Sequence, residues 1–253
     1  MPLHDTAVHI TVREGDIAGT LVSPPALMPG VLLVHGWGGS RQQYQLLARR
    51  LASLRCVYLT FDLSGHVATR SRRQSVTRDD NLADIVAAYD FLAAHPQVDR
   101  SAIAVIGSSY GGYLATLLTE MRPVAWLALR APALYKDTEW HRPKYLLHRE
   151  QALARYRQQR IDASDNRALR ACAAFRGDVL LVESECDRIV PAPVLASYRQ
   201  ACIHACSLTC RTILQADHAL SDDRSRRSYA AIVLNWLEEM LKGARNNSSR
   251  PND

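Results

Sequence analysis

Residues 103–118, IAVIGSSYGGYLATLL, confine the fold more tightly than any other part of the chain. The stretch opens as a short apolar run of the kind found in buried strands and continues as a helix. Between the two lie adjacent serines, with Gly107 before them and Gly111 and Gly112 after. A strand that passes straight into a helix needs backbone to pack closely on backbone, which small residues permit. Gly107-Ser108-Ser109-Tyr110-Gly111 fits G-x-S-x-G, whose central serine occupies a strained strand-to-helix turn with its hydroxyl above the sheet edge. Ser109 is the candidate nucleophile. Ser108 is expected to point elsewhere and serve packing.

Strand and helix patterns alternate along most of the chain. AVHITVR and IAGTLV, on either side of Gly15, read as an antiparallel pair. Strands then follow at residues 31–34, 57–61, 102–107, 124–129, 178–184 and 207–214. Helical patterns follow at 41–54, 79–95, 110–118 and 228–241, and residues 243–253 read as a flexible tail. Repeated β-α-β order implies a mainly parallel sheet with helices on both faces, whose functional loops lie at the carboxyl ends of the strands. Residues 132–176 break the rhythm with Arg-rich helical sequence and no strand. They are expected to form a helical lid over the site. No composition shift marks a second domain, so the whole chain, 1–253, is expected to be one unit.

A serine hydroxyl needs a base, and the base needs an orienting acid. Two residues fall where such partners belong. Asp187, in ESECDRIVP, follows the strand at 178–184, and His218, in LQADHALSD, follows the strand at 207–214. Glu183 and Glu185 are rival acids, but they lie closer to the strand body. A tetrahedral intermediate also needs two preset N–H donors. His35-Gly36-Trp37-Gly38-Gly39 ends the strand at 31–34, and the best donor pair is the backbone of Trp37 with that of Tyr110. The same glycines lack the Lys-Ser/Thr of a phosphate-binding P-loop.

On these motifs the chain resembles the α/β-hydrolase superfamily along nearly its whole length. GSSYGGY and HGWGG are similar to the dienelactone-hydrolase and prolyl-oligopeptidase-like branch, including feruloyl-esterase-type serine hydrolases. DLSGH at 62–66 resembles that branch's D-x-x-G-H-G-x-S loop. The resemblance implies an eight-stranded, mostly parallel sheet. It also implies a triad of Ser109, Asp187 and His218, with Trp37 and Tyr110 as oxyanion donors. Two positions depart from the pattern: Val67 stands where the glycine after the histidine belongs, and Thr69 replaces the serine. Dienelactone hydrolases carry cysteine at the elbow, and prolyl oligopeptidases carry a β-propeller. Neither occurs here. The expected function is therefore a serine hydrolase cleaving carboxylic esters of small or medium acyl groups, with no metal or organic cofactor. A peptidase, amidase or thioesterase on the same triad, or a non-catalytic binding protein on this fold, are the alternatives.

Composition enters through charge. The chain of 253 residues carries a net charge of +6, and 28 of its 31 basic residues are arginine. No nucleic-acid motif accompanies the basicity. The excess is concentrated in residues 70–78, with four arginines and no acid, and 136–176, with ten basic and five acidic residues. Both segments follow strands, which suggests a positive rim that steers an anionic substrate. Six cysteines are too few for a disulfide framework, and Cys202, Cys206 and Cys210 match no zinc spacing. They read as small apolar fillers. The N-terminal residues lack the apolar core of a signal peptide and no apolar run approaches ~20 residues, so a cytoplasmic, membrane-free setting is expected.

Overall fold

The computed structural model describes residues 4–147 and 151–248. Its eight strands are β1 (His4–Val12), β2 (Gly15–Ser23), β3 (Met28–Val34), β4 (Val57–Phe61), β5 (Val98–Ser108), β6 (Trp126–Arg130), β7 (Asp178–Ser184) and β8 (Ser207–Ile213). They form one sheet in the order β1-β2-β4-β3-β5-β6-β7-β8. β1 and β2 make a hairpin closed at Val12 opposite Gly15, whose φ of 84° supplies the left-handed turn residue. β2 runs antiparallel to β4, and every later pairing is parallel. Every strand expected from the sequence is present.

The helices are α1 (Gln45–Leu51), α2 (Arg78–Ala93), α3 (Tyr110–Leu118), α4 (Lys144–Leu147), α5 (Gln151–Arg157), α6 (Arg167–Ala174), α7 (Ala192–Ala201) and α8 (Asp223–Ser248). Alternation along the central strands splits the core in two. Leu32, Leu59, Val105, Leu127 and Leu181 face the side covered by α2, α3, α6 and α7. Val31, Leu33, Ala104, Ile106, Leu180 and Val182 face the side covered by α1 and α8. Both faces of the central parallel strands are thus dry, which is why β3, β4, β6 and β7 carry near-continuous apolar runs.

Local chemistry sets the helix ends. α2 starts in a capping box: the Thr77 hydroxyl accepts from Asp80 N–H, and the Asp80 carboxylate accepts from Thr77 N–H. Residues 41–54 are not one helix. α1 is flanked by 3₁₀ turns at Arg41–Tyr44 and Ala52–Leu54. Asp62 accepts from the Arg41 N–H at 2.7 Å, which ties that first turn to the loop after β4. α8 continues through Gly243 to Ser248, so the expected tail begins inside the helix, and 249–253 lie outside the described residues.

Residues 132–176 divide into two parts. α6 is an ordinary crossover helix, with Ala168, Leu169 and Cys172 buried in the core with α3 and α7. Asn166 caps it by accepting from Ala168 and Leu169 N–H, while its own amide donates to the Tyr135 carbonyl. The preceding residues pack beside the loop after β3. There the Lys144 ammonium lies 4.6 Å from the Trp37 ring and 4.7 Å from the rings of Tyr110 and Tyr135. Among the described residues, no helix is long and apolar enough to cross a membrane.

Candidate active site

The elbow is built from β5 and α3. Ser109 sits between them at φ 53° and ψ −116°, a conformation an L-residue holds only under strain. Two glycines make the turn possible. A Cβ on Gly107 would lie 2.5 Å from the Gly111 carbonyl oxygen, and one on Gly111 would lie 2.3 Å from the Val34 oxygen. The pattern seen in the sequence is thus a requirement of closest approach between β3, β5 and α3.

Three residues expected to act together are brought together. His218 Nε2 lies 2.9 Å from Ser109 Oγ, and His218 Nδ1 lies 2.7 Å from Asp187 Oδ2. Ser109 follows β5, Asp187 follows β7 and His218 follows β8, so all three stand at the carboxyl edge of the sheet. The second carboxylate oxygen of Asp187 accepts from the N–H groups of Ile189 and Val190, both at 2.8 Å. Burial alone would raise the Asp187 pKa. The hydrogen bonds from His218 and Val190 outweigh it and hold the carboxyl below its ordinary value. An ionised acid at Nδ1 fixes the proton there and leaves Nε2 as an acceptor for the serine hydroxyl. The rival acids are engaged elsewhere: Glu183 pairs with Arg199, and Glu185 accepts from Gln215 N–H.

The loop after β3 lies against the elbow. A Cβ on Gly36 would be 3.3 Å from Ser109 Cβ, so the Gly36–Trp37 peptide abuts Ser109. Tyr110 is the first residue of α3, and its N–H has no acceptor within the helix. Two buried histidines hold the loop. His35 Nε2 accepts from Leu63 N–H at 3.0 Å, so its Nδ1 proton is donated to the Gly36 carbonyl. His66 Nε2 accepts from Gly38 N–H at 3.0 Å, and its Nδ1 donates to the Ser64 carbonyl. Burial pushes both down to about 4, with the neighbouring His35 a further cause at His66, so both rings are neutral. Trp37 packs edge-on against the His66 and Tyr110 rings, with the Arg73 guanidinium 4.9 Å from its centroid.

Several supporting residues carried no motif. Ser64, Asn81 and Asp84 form a buried network in which Asp84 accepts from Ser64 N–H, Ser64 hydroxyl and the Asn81 amide, while Asn81 accepts from Tyr110 OH. Arg78, itself buried, donates to the carbonyls of Lys136 and Thr138 and fastens that strip to α2. Arg130 ends β6 with its side chain among the triad loops. A charged residue closing an otherwise apolar strand, WLALR, was the one sequence signal for it.

A mostly parallel eight-stranded sheet of this order, with a serine elbow after β5, defines the α/β-hydrolase class. Residues 69–244 match the model of the prolyl oligopeptidase family (Peptidase_S9), and the chain belongs to that family. An uncharacterised protein of Mycobacterium tuberculosis is 31% identical over 166 residues, covering 65% of this chain and 54% of that protein. A pimeloyl-[acyl-carrier protein] methyl ester esterase of Chromobacterium violaceum is 37% identical over 116 residues, covering 44% of this chain and 41% of the esterase. The chain spans about half the length, or less, of these curated relatives. Among solved structures, a dienelactone hydrolase of Anabaena variabilis superposes with a TM-score of 0.68 at 20% identity, over 94% of this chain and 99% of that one. That last likeness is one of fold.

Proposed function

We propose that the protein is a serine hydrolase of carboxylic esters with small or medium acyl groups. The observation that carries this reading is the unbroken chain of short contacts from Asp187 through His218 to Ser109. In it, Ser109 Oγ attacks the ester carbonyl carbon while His218 Nε2 takes the hydroxyl proton. Asp187 stabilises the imidazolium, and the N–H groups of Trp37 and Tyr110 receive the oxyanion. Collapse expels the alcohol, which leaves with the proton from His218, and an acyl-enzyme remains on Ser109. Water, deprotonated by His218, then releases the acid and restores the serine. The similarity to a methyl ester esterase supports an ester over an amide. Family membership supports a second reading, peptide hydrolysis by the same triad.

A fluorophosphonate probe tests the chemistry. Wild type should be labelled, Ser109→Ala should not, and Ser108→Ala should still label. The reverse pattern would move the nucleophile to Ser108. Turnover of p-nitrophenyl esters of graded chain length against aminoacyl p-nitroanilides then separates the readings. Faster cleavage of the anilides would favour the peptidase.

A further inference from the structure

The triad draws on β5, β7 and β8, and passes over the strand between the first two. β6 contributes Arg130, its last residue, only 8% exposed. The Arg130 backbone carbonyl accepts from Ser109 N–H at 2.8 Å, so this residue already fixes the elbow from below. Its side chain does more. Nε donates to the Ser108 hydroxyl at 3.2 Å, and Nη1 donates to the His218 carbonyl at 2.8 Å. One planar guanidinium therefore bonds at once to the elbow after β5 and to the histidine loop after β8, which the sheet order separates from β6 by β7.

We propose that Arg130 is a positioning residue that sets the distance between His218 and Ser109, with Ser108 as its anchor on the elbow. The proposal rests on the serine-hydrolase reading above. Three further observations support it. Among the described residues Arg130 pairs with no carboxylate: its partners are the two oxygens and the face of Tyr229, 5.7 Å away. A buried cation without a counter-ion is costly as a mere structural strut, since apolar side chains of the same volume would pack there at no desolvation cost. The histidine loop also needs support. Leu220, two residues past His218, has φ 53°, and a cavity of about 250 Å³ lined by Arg130, Ser108, Ala219, Leu220 and Tyr229 lies behind it. Packing alone therefore does not fill the space behind the base. Finally, only an arginine offers two rigidly spaced donors for two oxygens on different loops, whereas a lysine bonds as a point charge.

The brace also assigns Ser108. Its hydroxyl, on a side chain only 2% exposed, accepts from Arg130 Nε.

The test measures kcat and KM for Arg130→Met, Arg130→Lys, Arg130→Ala, Ser108→Ala and the Ser108→Ala/Arg130→Met pair. Thermal stability is followed alongside. Misplacing a catalytic base by about 1 Å costs on the order of 100-fold, so R130M should lose about 10- to 100-fold in kcat with KM little changed. R130K should remain well below wild type, since it keeps the charge and loses the two-point geometry. The double variant should lose no more than R130M, because the two residues act as one unit. Millimolar guanidinium should restore part of the activity of Arg130→Ala.

If R130M folds and keeps kcat within about twofold of wild type, or if R130K is fully active, Arg130 does not position the base. If R130M fails to fold, S108A decides: a kcat unchanged in S108A overturns the brace. Fluorophosphonate labelling of wild type, abolished in Ser109→Ala, checks the underlying reading independently. Loss of that pattern would sink the hydrolase assignment and not the brace alone.

Discussion

Among the seven described non-glycine residues at positive φ, two hold that strained backbone in contrasting settings. Ser109 does so at the centre of the elbow, where the strain presents its hydroxyl. Val67 does so at φ 43°, half exposed, at the position that is glycine in the loop pattern DLSGH resembles. A β-branched residue in the left-handed region costs about 1–3 kcal/mol, against roughly 0.5–1 kcal/mol for the extra unfolded-state freedom of glycine. Val67→Gly should therefore raise the melting temperature, by about 2–4 °C per kcal/mol gained in a chain of this size. An unchanged or lower melting point would show that Val67 makes contacts that offset its strain. The departure itself was legible in DLSGHVATR, but its outcome was not. The chain holds the loop with Val67 itself in the left-handed region. That Asp187, and not Glu183 or Glu185, would meet His218 was legible because distance from the strand end decides which carboxylate faces the edge. Arg130 was signalled only by its place at the end of an apolar strand, and that place does not tell a buried cation from a solvated one.

At the scale of elements, the loop after β3 is held by neutral histidines, which makes it sensitive to acid. Both have folded-state pKa values near 4, below the ordinary 6.5. As pH falls from about 6.5 towards 4, the unfolded chain takes up protons that the folded chain refuses, so stability falls across that window. It is fully present above it. Urea midpoints should drop between about pH 7 and pH 5, and His66→Gln, which keeps an acceptor for Gly38 N–H without a titrating ring, should drop less. Equal drops in the two proteins would remove His66 from the cause. Helix positions were read well where apolar spacing is long, as in α2 and α8, and poorly where capping dominates. The stretch at 41–54 looked like one helix, yet Asp62 bonds its first turn and a left-handed Arg55 ends it. Residues 132–176 read from the sequence as one Arg-rich helical lid with a positive rim. Lys144 and Arg157 are nonetheless buried, because aromatic faces at Trp37, Tyr110 and Tyr135 cover them. We propose that residues 136–147, fastened by Arg78 and seated beside Trp37, act as the lid, while α6 serves the core.

For the whole molecule, the positive excess lies in two segments that follow β4 and β6. Arg73 stands over Trp37, while Arg72 pairs with Glu14 and Arg78 is buried, so only part of that charge faces outward. A field at the triad edge fades within about 8 Å at physiological salt. Esters bearing a distant carboxylate or phosphate should therefore show higher kcat/KM than matched neutral esters at low salt, with the advantage shrinking as salt rises. No preference at low salt, or one that salt leaves untouched, would remove steering. The order of the sheet was legible in outline from the β-α rhythm, since parallel crossovers leave few topologies. The same order places His218 after β8, the outermost strand, which pairs only with β7 and leaves much of its length half exposed. An edge strand opens more readily than the middle of a sheet, so amide exchange should be fastest there among the parallel strands. His218, the proposed base, is thus mounted on the part of the sheet that frays first. Under mild denaturant the protein should go silent as a catalyst while its tryptophan fluorescence still reports a folded chain, and dilution should revive it at once.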